Sequence, residues 1–146
     1  MRYSLANYIL SVDSNDPEIK SIFGTISIGG EGSYVGSINL SLANPQWSTT
    51  GYSTGGWVHN KNLDRHGTAT VSLNQLSEPV AKFIQLCKLY YSTTDYEGFT
   101  LSLTDVAGNN IASCIDCYIS QIPDQTYEDQ AGMQSWAFTC GQINFN

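Results

Sequence analysis

The sequence predicts a mainly β protein with one flanking α-helix. Apolar and polar residues alternate with a period of two along several segments, and one run near the middle instead shows the three-to-four spacing of a helix. No linker, low-complexity block or repeat divides the 146 residues, so residues 1–146 read as a single domain.

Taken in order, the first clear strand is 33–42. It sets Tyr34, Ile38, Leu40 and Leu42 on one face and Ser33, Ser37, Asn39 and Ser41 on the other. Residues 43–66 break the pattern. They hold Trp47, Tyr52 and Trp57, with Pro45, Gly51, Gly55 and Gly56, and then the charged group Lys61, Asp64 and Arg65. Aromatic residues on such a stretch predict a protruding loop or hairpin arm that docks on something. Strand 68–74 alternates again, with Thr68, Thr70 and Ser72 on its polar side.

The helix spans about 78–91. Ser77 is a good N-cap residue, and Pro79 lies in the first turn, where its missing N–H costs nothing. Val80, Phe83, Ile84, Cys87 and Tyr91 form an apolar stripe that Leu86 and Tyr90 widen, leaving Lys82 and Lys88 to solvent. Phe99–Thr104 is the next strand. Asp105–Asn110 supplies hairpin-turn residues. A strand over 111–122 is ended by Pro123, and a last strand covers 134–145 and buries Trp136, Phe138 and Cys140.

Composition narrows the function. Only 13% of residues are charged, while aromatics reach 12%. Interfaces are depleted in Lys, Glu and Asp and enriched in Tyr and Trp, so the balance favours a chain that meets other subunits. The polar faces of the three alternating strands carry no charge at all, which suits a face turned to a partner or a lumen. The formal net charge of −7 argues against ordinary nucleic-acid affinity, which needs cations to neutralise phosphates. It is compatible with a wall that a polyanion passes without sticking. No apolar run is long enough to span a membrane, and Met1–Leu5 lacks a signal-peptide core. The expectation is therefore a cytoplasmic product with its four cysteines reduced.

The residues with chemical potential assemble no signature. Cys114-Ile115-Asp116-Cys117 is a C-x-x-C, but in a strand residues three apart point to opposite faces, and Cys87 and Cys140 supply no second pair. Buried thiols are the expected reading. His59 and His66 lack convergent ligands. Asp13 with Asp16, Asp124 with Glu128, and Glu128 with Asp129 lie in polar stretches read as solvated loops. Gly29-Gly30-Glu31-Gly32 lacks the lysine and the helix of a P-loop. No catalytic residue, metal ligand or cofactor is expected.

The order of features from Gly51 onward resembles the tail-tube proteins of contractile-tailed bacteriophages. The turn His59–Gly67 leads into strand 67–73, then the helix from Ser77 to Leu86, the strand and turn Leu103–Gly108, the Pro123 break and the Trp136-Ala137-Phe138 strand. The resemblance implies a β-sandwich or partial barrel that joins its neighbours into a ring-shaped β-barrel. It also implies hexameric rings that stack helically inside a sheath. The partners would be further copies, the sheath protein, the tape-measure protein and baseplate proteins. Genomic DNA would pass through the lumen without specific binding, and the virion tail would be assembled in the host bacterial cytoplasm. On that reading Trp47, Tyr52, Trp57, His59, Lys61, Asp64 and Arg65 make inter-subunit contacts. Ser37, Asn39, Ser41, Thr68, Thr70 and Ser72 face the lumen or a neighbouring sheet. Pyocin and type VI secretion tubes have related folds and fit nearly as well. The other readings are a carbohydrate-binding sandwich with Trp47, Tyr52 and Trp57 as a sugar platform, and a small enzyme using a spatial Cys–His pair.

Overall fold

The computed structural model describes residues 3–30, 33–92 and 94–146. Met1, Arg2 and the Glu31-Gly32 part of the glycine-rich stretch lie outside the described residues. The strands are β1 (Tyr8–Ser14), β2 (Thr25–Ile28), β3 (Val35–Leu42), β4 (Trp47–Gly51), β5 (Trp57–Lys61), β6 (Gly67–Asn74), β7 (Phe99–Asp105), β8 (Asn110–Ile119) and β9 (Met133–Phe145). The helices are α1 (Pro17–Phe23) and α2 (Glu78–Tyr90). Seven strands form one antiparallel sheet in the order β2-β1-β7-β8-β9-β6-β3, curled into half a barrel, and β4 with β5 forms a separate hairpin. The architecture is thus a partial barrel rather than two stacked sheets.

The core lies on one face of this sheet. Trp136, Phe138 and Cys140 of β9 are fully buried, as the alternation requires, with Val71 and Leu73 of β6 and Leu101 of β7 beside them. Helix α2 closes that face. Its Phe83 ring meets Trp136 and Phe138 with centroids 5.5 Å away in each case. Val80, Leu86 and Cys87 complete the buried stripe. Tyr91, expected in the stripe, is exposed because the helix ends at Tyr90, while Leu86 is buried as expected.

Helix α1 is an addition to the single expected helix. The Asp16 carboxylate accepts from the Glu18 amide at 3.0 Å, Pro17 opens the first turn, and Gly24 ends it at φ +63°. Asp16 is therefore a cap and Asp13 a strand residue, not members of a solvated loop. The helix is seven residues long and buries Ile19 alone, too little for an apolar period to appear.

Two bulges shift faces from where strict alternation puts them. Register slips between Val35 and Ser37, so Val35 packs on the core while Tyr34 is exposed. Leu42, at the end of the edge strand, is exposed as well. The second bulge is in β8 at Asp116, whose φ is +56°. It turns Cys114 and Cys117 to the same side, and both are buried. The expectation that they face opposite ways fails because the extra residue restores a two-residue phase between them. Strand β8 stops at Ile119, three residues before the expected end at 122.

Candidate assembly surfaces

The face of the sheet opposite the core is polar and almost without charge. Antiparallel pairing sets Ser37 opposite Ser72, Asn39 opposite Thr70, and Ser41 opposite Thr68. All six expected lumen-face residues therefore occupy one patch, made of three cross-strand pairs. Strand β9 extends two of those rows, through Ser72 to Ser135 and Thr68 to Thr139. Sequence reasoning missed the other half. A second row runs Ser27–Ser11–Ser102–Ser113–Asn144 across β2, β1, β7, β8 and β9. The signal was present as Ser11 and Ser27 at alternate positions in two short apolar strands, but strands of that length are easily missed. Asp13, beside Thr25 and Thr100, brings one carboxylate to this face, and its carboxylate accepts from the Thr25 hydroxyl.

Both edges of the sheet are open among the described residues. Strand β2 at one side and β3 at the other contain no charged residue and no proline. Edge strands without such blockers are templates for pairing with another chain.

The hairpin β4–β5 extends from the β3–β6 corner. All ten residues of its two strands are exposed. Register pairs Trp47 with Lys61, Thr49 with His59, and Gly51 with Trp57, so Trp47, His59, Trp57 and Lys61 share one face. The Lys61 ammonium lies 5.5 Å from the Trp47 ring centroid, and Thr49 Oγ1 is 2.9 Å from His59 Nδ1. Tyr52 sits at the tip, in the turn that Gly55 closes at φ +90°, and its amide donates to the Gly56 carbonyl at 2.9 Å. Asp64 and Arg65 lie at the root. The Asp64 carboxylate accepts from the His66 amide and from Asn44 and pairs with the His66 ring, and the amide bond foremost holds it below its ordinary value of 3.8. A lone two-stranded hairpin is only marginally stable in water. One face of this hairpin carries two tryptophans, so it gains most from being covered.

The buried thiols form a group. Cys117 is the direct cross-strand partner of Cys140, and Cys114 lies on the same face of β8. Hydrogen bonding to Cys114 and Cys140, with burial, pushes the Cys117 thiol up. Cys87, apart from them on α2, is pushed up to about 11 by burial. Cys87 and Cys117 are therefore protonated at neutral pH, while hydrogen bonds from Cys114 and Cys117 pull the Cys140 thiol the other way. Among the described residues no group of three or more His, Cys, Asp or Glu is arranged to hold a metal ion.

The molecule thus presents a polar sheet face between two open edges and a fully exposed hairpin with two tryptophans on one side. Residues 17–146 match the family model described as the bacteriophage PhiTE tail tube protein. The chain belongs to this tail-tube family, and its role is structural, as a tail-tube component of a virion. Among solved structures it is similar to a chain of the PVC sheath/tube terminator of an extracellular contractile injection system in the extended state. The TM-score there is 0.57 at 12% identity, covering 100% of this chain and 97% of the other. The PVC sheath-tube complex in the extended state gives 0.54 at 12% identity, covering 99% and 91%. The tube-terminating cap of the anti-feeding prophage gives 0.51 at 12% identity, covering 100% and 93%. These likenesses describe the fold. No curated protein sequence matches the chain.

Proposed function

We propose that the chain closes into hexameric rings by pairing the β2 edge of one copy with the β3 edge of the next, giving one continuous barrel whose polar face lines the lumen. The observation that carries this reading is the polar, cation-free face formed by the strands, carrying the Asp13 carboxylate and set between two unblocked edges. Closing the ring removes both edges. A lumen lined by Ser, Thr and Asn offers phosphates no cation, so DNA slides through without binding. The arm over 43–66 then makes the contact between rings. The sheath, the tape-measure protein and the baseplate are the remaining partners, the tail is assembled in the host cytoplasm, and the chain performs no catalysis. Residues 1–146 act as one domain.

Negative-stain electron microscopy of the concentrated protein, with size-exclusion chromatography, tests this. Hollow rings or filaments are the expected result. Trp57→Ala is expected to stop tube growth and leave the monomer folded, because the indole is 67% exposed in the single chain. A monomer at every concentration that also binds glycans would replace the reading with a sugar-binding one, in which Trp47, Tyr52 and Trp57 form the platform.

A further inference from the structure

An aromatic hollow lies between the end of α2 and β8, where Tyr118 stands at the end of the row Ser41–Thr68–Thr139. It measures about 170 Å³ and is lined by Cys87, Tyr90, Tyr91, Tyr118 and Ile119 among others. Tyr91 is 76% exposed and Tyr118 40% exposed, so apolar ring faces are open to solvent. The rim is acidic. Burial and then the charges of Asp116, Glu97 and Asp95 raise the Tyr118 phenol, and Asp16 acts on Tyr90 in the same sense. Tyr90 is held in place, its hydroxyl donating to the Glu97 carbonyl at 2.7 Å.

The complementary surface is the arm of the same chain. It carries Lys61 and Arg65 and exposed aromatic residues along one face, with the Lys61 ammonium over the Trp47 ring. Among the described residues the sole ion pair is that of His66 with Asp64, so neither Lys61 nor Arg65 is neutralised within its own copy.

The sheet's stagger points the two features in opposite directions. One row of paired residues crosses it: Ser14–Phe99–Cys117–Cys140–Gly67–Leu42. From that row β1 and β7 extend toward the C-terminal end of β9, since Leu103 pairs with Ala112 and Ala112 with Phe145. Strands β6 and β3 extend the other way, with Asn74 opposite Met133. Asp16 and Glu97 flank β1 and β7 beyond the row, and so lie toward the start of β9. The arm leaves beyond Leu42 and Gly67 on the other side, where the Arg65 carbonyl accepts from the Ile143 amide at 2.9 Å. An arm at one end and a hollow at the other form a head-to-tail contact, which repeats into a filament.

We infer that the hollow around Tyr90 and Tyr118 is the docking site for the 43–66 arm of a second copy in the adjacent ring. Apolar ring faces of the arm enter the recess, and Lys61 and Arg65 meet the Asp95, Glu97 and Asp116 rim. This rests on the arm reading proposed above and adds the surface that receives it.

The test is a charge exchange in the full chain, with assembly followed by sedimentation and electron microscopy. The arm variant is Lys61→Glu with Arg65→Glu, and the rim variant is Asp95→Lys with Glu97→Lys. All four side chains are exposed, so circular dichroism and melting are expected to match the parent. Each double variant is expected to raise the critical concentration for tube growth about tenfold or more. The quadruple variant, in which both signs are exchanged, is expected to recover most of that loss. A rim variant that grows normally while the arm variant does not would overturn the hollow as receiver and leave the arm reading standing. Normal growth of both would overturn the two together, and failure of the quadruple variant to recover would overturn the pairing of these charges.

Discussion

Replacing Gly67 by alanine tests how the arm is rooted in the sheet. Gly67 opens β6 opposite Leu42 and is buried. A Cβ there would fall well inside the contact distance of the Ser41 carbonyl oxygen, 3.0 Å from the Ser41 carbonyl carbon and 2.8 Å from Ile143 Cδ1. Carbon–oxygen contacts between strands ordinarily sit at about 3.3–3.6 Å. The Ser41 backbone must therefore retreat by roughly 1 Å. Backbone cannot swing aside as a side-chain tip can, so the final β3–β6 pair opens and Ile143 shifts within the core. Overpacking of this kind costs about 1–3 kcal/mol. The backbone clash puts Gly67→Ala at the upper end, about 3 kcal/mol, a fall in melting temperature of about 10 °C for a chain of this size. Urea denaturation followed by Trp136 fluorescence gives the number. Gly51→Ala, where an added Cβ meets nothing within 4 Å, is the matched control on the arm and is expected to stay within about 0.5 kcal/mol of the parent. A Gly67→Ala protein as stable as the control, with unchanged Leu42 and Ser41 amide protection, would refute the close approach on which the reasoning depends.

Phe83→Ala removes the ring that α2 sets against Trp136 and Phe138 and is expected to cost about 4 kcal/mol, read by urea denaturation. Ser77→Ala is expected to cost about 1–2 kcal/mol by stranding the Tyr34 amide, which donates to Ser77 Oγ at 3.0 Å; Ser77 makes no side-chain cap bond to α2, so hydrogen exchange should quicken at Tyr34 more than in the helix. Burial raises the Cys87 thiol from its ordinary 9.0 to about 11, so the stability linked to its neutral form is present below pH 9 and is lost as pH climbs to about 11. Melts of the parent and of Cys87→Ala across that range should converge as pH rises, and curves that stay parallel would contradict the burial. Asp105 shows the opposite sign. Foremost through the Asn109 amide, backbone bonds hold its carboxyl below 3.8, so its contribution to the β7–β8 turn is present at neutral pH and is lost as pH falls through that lowered value. Amide exchange at Ala107 and Asn109 should quicken under acid and in Asp105→Asn.

Long, regular elements were legible in the sequence. Trp136, Phe138 and Cys140 alternate without interruption and pack where a period of two requires. Helix α2 has enough turns for its stripe to show, and Pro79 and Ser77 mark its start. What escaped was short or out of phase. Strand β2 has four residues and α1 has seven, so neither completes a pattern that distinguishes it from a loop. The misplaced Tyr34 and the misread C-x-x-C share one cause. A single extra residue in a strand inverts every side chain beyond it. Asp116, the only non-glycine with positive φ among the described residues, is where β8 absorbs that residue. Asp tolerates the left-handed region better than most, yet nothing in the sequence separates it from the other acids.

The assembly surfaces are harder to read than the core because their signal is distributed over strands far apart in the chain. Ser11 and Asn144 stand 133 positions apart, yet both belong to one row, joined through Ser102 and Ser113. No local window contains that row. What a window does contain is the absence of charge from the polar faces of β3, β6 and β7, and the sheet adds those absences together. The arm works by the same addition. Trp47, His59, Trp57 and Lys61 come from two strands, and only the pairing of Thr49 with His59 sets all four on one side. A shift of that register by one residue would divide the tryptophans between the two faces. The hairpin's capacity to dock therefore resides in its register, which the Tyr52–Gly56 turn fixes. Shortening that turn by one residue should abolish docking even with every aromatic residue retained.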